Sequence, residues 1–238
     1  QLGGNSKFNG AYESSNYASR YWHPSYVING KRLNTVATDF GLDIEADFAI
    51  DFIKRQQADN QPFLLYWPTV APHNARKGVS TTPFRGQVGE MGRSSRAEYN
   101  ARFDALIEYM DYSVGRVVKA LDEMGISDNT LIIFTSDNGT AQTAKDRGVE
   151  RGPQVVNIMS GGLGKGKKVK QRGLSDALVD FTDIAPTLVD IAYQQPVAKN
   201  YAFEGKSLTP YLSGDTDEHR EWIYGYVHSS QIFRTKEY

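Results

Sequence analysis

Apolar residues recur along the chain with two different periods. From Asp43 the positions Ile44, Phe48, Ile50, Phe52 and Ile53 suit an amphipathic helix closing near Gln57, and the polar loop ADNQP follows it. The next stretch, FLLYWPT, reads as a buried strand, and APH just beyond it places His73 at the strand's carboxyl end. Farther on, Tyr99, Phe103, Leu106, Ile107, Met110, Val114, Val117, Val118 and Leu121 step by three and four, which predicts a long helix with a glycine just past its last turn. Leu131, Ile132, Ile133 and Phe134 are an unbroken apolar run of the kind that lies buried on both faces in a parallel sheet. QVVNIM predicts a further strand, and a helix is expected from about Asp183 to Ala192. Residues 1–40, with the turn INGK, and the Gly/Arg/Ser-rich residues 76–95 show little periodicity and read as irregular surface segments.

Helices and strands thus alternate, which predicts an α/β fold with a largely parallel central sheet flanked by helices. Such folds take ligands at the carboxyl ends of their strands. The run at 131–134 ends on Thr135, Ser136, Asp137 and Asn138, with Gly139 free to turn sharply. Asp137, Asn138 and His73 are therefore placed to converge on one crevice. Asp and Asn offer hard oxygens, suited to Ca²⁺ or Mg²⁺. Plainer readings stand beside these: SDNG is also an ordinary turn, and a histidine after proline is also a capping or surface residue. His23, His219 and His228 lack a strand-end setting and read as structural.

Composition narrows the field. A formal net charge of -1 gives no electrostatic reason to expect nucleic acid or an anionic membrane as partner. No apolar run of about 18 residues is present, so no bilayer span is expected. Cysteine is absent, which removes disulfides, thiolate metal sites and a cysteine nucleophile from these residues. The opening QLGGNSKFNGAYESS has neither the basic start nor the apolar middle of a secretory signal. The basic stretch SGGLGKGKKVKQRG approaches a nucleotide-binding loop, but Lys168 stands where Ser or Thr should bind Mg²⁺; a solvated basic hairpin is the expectation.

Four segments in order, PFLLYWPTVAPH, YMDYSVGRVVKALDEMGISDNTLIIFTSDNG, SDALVDFTDIAPTLVDIA and HREWIYGYV, resemble the sulfatases of the alkaline phosphatase superfamily. The resemblance implies an α/β, alkaline phosphatase-like fold and a sulfuric ester hydrolase with one divalent cation, usually Ca²⁺ and less often Mg²⁺. It implies a partial catalytic domain over residues 1–200 and the start of a C-terminal subdomain over 201–238. Asp137 and Asn138 look like metal ligands, and His73 is similar to the histidine that contacts the sulfate and assists the departing alcohol. The stretch KDRGVERGPQVV keeps a lysine five residues before a glutamate, so Lys145, with Glu150, looks like the sulfate-binding lysine; Arg147 is a rival cation.

The chain departs from the family pattern as well. Arg151, Gln154 and Val156 replace the usual glycine, arginine and proline near Lys145. The family's nucleophile is a formylglycine made from the Cys or Ser of a Cys/Ser-x-Pro-x-Arg motif, next to an Asp pair; neither motif occurs here. The expectation is an internal piece of a sulfatase, incomplete at the N-terminal end of the fold, with formylglycine upstream and no turnover of its own. A non-catalytic relative and a phosphodiesterase or phosphonate hydrolase of the same superfamily are the alternatives. A saccharide or small-molecule sulfate ester is the expected partner, and a periplasmic or extracellular location is implied by the resemblance alone. Tyr12, Tyr17, Tyr21 and Trp22 read either as a sugar-stacking surface or as an aromatic segment packed on its own domain.

Overall fold

The computed structural model describes residues 2–4, 21–73, 79–85, 95–139, 145, 149, 152–193, 202–227 and 229–237. The chain forms two compact units, Gln1–Ala120 and Leu121–Tyr238. Helices and strands are mixed in sequence, as the periodicity predicts for an α/β chain.

In the first unit, β1 (Leu2–Gly4), β2 (Tyr26–Ile28) and β3 (Lys31–Arg32) form an antiparallel sheet in that order. The INGK turn joins β2 to β3, with Asn29 at φ 49° and Gly30 at φ 81°, the left-handed values that tight hairpins need. Helix α1 (Gly41–Ala58) buries Leu42, Ala46, Ala49 and Ile53, whose steps of three and four put them on one face. Helix α2 (Arg96–Glu123), whose residues up to Ala120 belong to this unit, buries Leu106, Tyr109 and Val117 on the same principle. Its end carries the expected glycine: Gly125, at φ 69°, donates to Asp122 O while Ile126 donates to Leu121 O, the paired bonds of a Schellman cap. Tyr21, Trp22, Phe40, Leu42, Ala71, Val79, Leu106 and Tyr109 make up the unit's buried core.

Residues 63–69, predicted as a buried strand, pair with no strand among the described residues, and Thr69 N donates to Trp67 O at 3.0 Å. Their exposure alternates: Leu64 is 70% and Tyr66 82% exposed, whereas Phe63 and Trp67 turn toward α1. Phe63 meets Phe52 edge to face, and Trp67 Nε1 donates to Glu45 Oε2 at 2.8 Å. The apolar run thus has one covered face rather than two. Its alternating hydrophobicity suffices to cover one face against α1, whereas a ladder also needs a partner brought from elsewhere in the chain.

In the second unit, β4 (Leu131–Thr135) pairs antiparallel with β5 (Asn157–Gly161), from Leu131 opposite Gly161 to Thr135 opposite Asn157. Every pairing among the described residues is antiparallel. The parallel neighbours expected for β4 are not among them, and Leu131 to Phe134 are half-buried rather than enclosed on both faces. Helix α3 (Ile184–Tyr193) follows a 3-10 turn over Phe181–Asp183, one residue from the predicted start, and a short α4 spans Thr209–Leu212. Strands β6 (Trp222–Val227) and β7 (Ser230–Thr235) close the unit as a hairpin. Leu163, Leu208, Tyr211 and Leu212 form its core.

The basic stretch is a hairpin, as expected. Leu163 N donates to Lys167 O, Lys167 N to Gly164 O and Val169 N to Gly161 O. Lys167 and Lys168 pair with Asp215 and Asp128 at exposed positions. These bonds turn the loop onto itself.

Candidate functional site

Strand β4 delivers the SDNG residues. Thr135, its last residue, donates through Oγ1 to Val156 O at 2.8 Å, and the chain leaves the ladder at Ser136. Two residues beyond the strand Asp137 is exposed, and Asn138 beside it is half-buried. Asn138 Nδ2 donates to Asp137 Oδ1 at 2.8 Å. That bond uses the amide NH₂ and one carboxylate oxygen; Asp137 Oδ2 and Asn138 Oδ1 take no part in it. The pair is an oxygen-rich group at a strand end, right in kind for a hard cation.

In number the pair falls short. Ca²⁺ takes six to eight oxygens, and among the described residues no group of three or more His, Cys, Asp or Glu side chains could hold a metal. Asp137 and Asn138 therefore fit part of a coordination shell.

His73 belongs to the first unit. Its side chain is exposed while its backbone is tied on both sides: its N–H donates to Val70 O at 2.8 Å, and its carbonyl accepts from the Tyr21 hydroxyl. Asp137, Asn138 and Lys145 belong to the second unit, so the structure brings Asp137 and Asn138 together and describes His73 within the other unit. Lys145 is half-buried in a turn. Arg147 and Glu150, its rival and its spaced partner, lie outside the described residues, as do Tyr12, Tyr17 and His228.

Sequence reasoning left one constellation unread as such. Asp183 is fully buried and accepts from four donors: the backbone N–H groups of Asp180 and Lys206, His219 Nε2 at 3.0 Å and the Arg220 guanidinium. Burial pushes its carboxyl upward, but His219, the two backbone N–H groups and Arg220 together hold it below the ordinary carboxylate range. His219 is structural, as expected, and the signal for its partner was the Asp that opens the helix DIAPTLVDIA.

Solved structures similar to this chain show its fold class. A Bacteroides thetaiotaomicron structure, from work on the metabolism of multiple glycosaminoglycans, superposes with a TM-score of 0.66 at 16% identity, covering 91% of this chain and 51% of that one. The crystal structure of Ps i-CgsB in complex with k-i-k-neocarrahexaose gives a TM-score of 0.62 at 21% identity, covering 89% and 47%. The fold is thus the alkaline phosphatase-like α/β fold shared by sulfatases.

Within that class the assignment is specific: the Sulfatase family model matches residues 3–194, and the chain belongs to the sulfatase family. The N-acetylgalactosamine-6-sulfatase of Canis lupus familiaris is 42% identical over 176 residues, 70% of this chain. The chain spans about a third of that curated relative's length, 31%.

Proposed function

We propose that this chain is part of a sulfuric ester hydrolase acting on a sulfated saccharide, with Asp137 and Asn138 among the ligands of a divalent cation, Ca²⁺ in preference to Mg²⁺. The observation that carries the reading is the hydrogen-bonded Asp137–Asn138 pair, delivered immediately past β4 in a chain of the sulfatase family. When bound there, the cation would offset charge on the sulfate oxygens. Lys145 neutralises a further sulfate oxygen through its ammonium, and His73 donates a proton toward the oxygen of the departing alcohol.

Support for a saccharide comes from the canine relative, whose name specifies N-acetylgalactosamine 6-sulfate, and from the neocarrahexaose complex of a structural neighbour. The nucleophile would be a formylglycine. These 238 residues contain no cysteine and no Ser-x-Pro-x-Arg, so by themselves they are expected to show no turnover. The family supports a location outside the cytoplasm, and no helix among the described residues is long and apolar enough to cross a membrane.

The test is hydrolysis of nitrophenyl sulfate by the complete gene product in the presence of Ca²⁺. His73→Ala and Lys145→Ala should each lower kcat roughly a hundredfold, since both contacts strengthen as charge develops. Unchanged kcat in both variants would overturn the assignment.

A further inference from the structure

Two adjacent aromatic residues each hold one residue of the segment around the APH motif, Tyr21 holding His73 and Trp22 holding Thr81. Tyr21 donates its hydroxyl to His73 O at 2.5 Å. Trp22 donates Nε1 to Thr81 Oγ1 at 3.0 Å and to Thr81 O at 3.2 Å. Neither ring is a surface residue: Tyr21 is 0% and Trp22 3% exposed. Both pack on Phe40, with ring centroids 6.0 and 4.8 Å away, and Phe40 in turn meets Tyr109 of α2 edge to face at 5.0 Å. Their backbone is fixed too, since Gly41 N donates to Tyr21 O and His23 N to Asp39 O at the entrance to α1.

We infer that Tyr21 is a positioning residue for His73, and that the Tyr21–Trp22 pair sets where the His73 imidazole stands relative to substrate. The inference rests on the reading of His73 as the proton donor. Its physical basis is that His73 is exposed while its backbone is held on the N–H side by Val70 O and on the carbonyl side by the hydroxyl of a tyrosine buried in the core. Removing the phenol oxygen releases the carbonyl side. A displacement of about 1 Å at a reacting group costs up to about a hundredfold in rate. The buried aromatics therefore act through His73 and do not contact a sugar.

A double-mutant cycle in the complete gene product tests this, with Ca²⁺ and nitrophenyl sulfate as the probe. Tyr21→Phe keeps the ring and its packing but removes the hydroxyl. It should lower kcat about tenfold with KM within about twofold and the thermal midpoint nearly unchanged. In a His73→Ala background the same change should alter kcat less than about twofold, because the group it positions is gone. Thr81→Val, which removes the hydroxyl acceptor on the Trp22 side and leaves the carbonyl one, is expected to show a smaller loss with the same dependence on His73 and serves if Tyr21→Phe does not fold. Equal losses in both backgrounds, or no loss with His73 intact, would overturn the positioning role while leaving His73 as the donor. If His73→Ala itself left kcat unchanged, the donor assignment and this inference would fall together.

Discussion

At the scale of single residues the firmest arrangement is the one around Asp183. A buried carboxylate is tolerated where every lone pair is used, and here backbone N–H groups, an imidazole and a guanidinium share the two oxygens. Asp180 and Asp183 also form a reciprocal capping box at the entrance to α3, and the Lys206 ammonium donates to His219 O. One side chain thus ties the start of α3 to the segments at 206 and 219–220. Asp183→Asn keeps the shape but leaves Arg220 without its counter-charge, and should destabilise the protein by about 3 kcal/mol in urea unfolding at neutral pH. Because the folded-state pKa lies below the unfolded one, Asp183 stabilises fully above the unfolded carboxyl value of about 3.9, and this contribution fades as pH falls through the folded value. The variant should therefore lose less stability than the wild type between neutral pH and about pH 3. Identical acid dependence would show that the carboxylate is not the anchor.

Among the elements, β4 and β5 show how close backbone approach decides a residue type. Gly161, the last residue of β5, has φ +101°, and a Cβ there would stand 2.0 Å from Thr130 O. Gly166 in the adjoining basic hairpin has φ +72° but open space around it. Gly166→Ala thus meets only the left-handed backbone cost, about 1 kcal/mol, while Gly161→Ala must also move β5 away from Thr130 and should cost distinctly more. Denaturant midpoints of the two variants check the order, and a larger loss at Gly166 would contradict it. Other features were legible in the sequence because their causes are local: the positions of α1 and α2 in the chain, the glycine after α2 and the Asn-Gly turn all lie within a few residues of what specifies them, although of the five apolar positions read for α1 only Ile53 is fully buried. Strand partners did not show themselves in this way. FLLYWPT and LIIF are equally apolar whether two faces or one are covered, so neither the lack of a strand partner for residues 63–69 among the described residues nor the antiparallel partner of β4 could be read from them. Tyr21 and Trp22 had two readings as an aromatic segment, and burial decides for packing on their own domain.

On the scale of the whole molecule, membership of the sulfatase family and the strand-end position of the SDNG residues carry the functional account. The candidate site was legible as motifs, because SDNG and APH are short runs whose chemistry lies in consecutive residues. How its groups combine depends on segments remote in sequence, which periodicity does not register. Asp137 supplies the negative charge of the proposed cation site, so its loss should remove both the cation and the turnover. The most direct measurement is the rate at which the complete gene product hydrolyses nitrophenyl sulfate and the corresponding phosphate diester, with Ca²⁺ binding followed by calorimetry in the wild type and in Asp137→Ala. The account predicts that the sulfate ester is the better substrate, and that Asp137→Ala lowers both Ca²⁺ affinity and sulfate-ester turnover by at least about tenfold. Preference for the phosphate diester, or Ca²⁺ affinity and turnover untouched by the substitution, would contradict it.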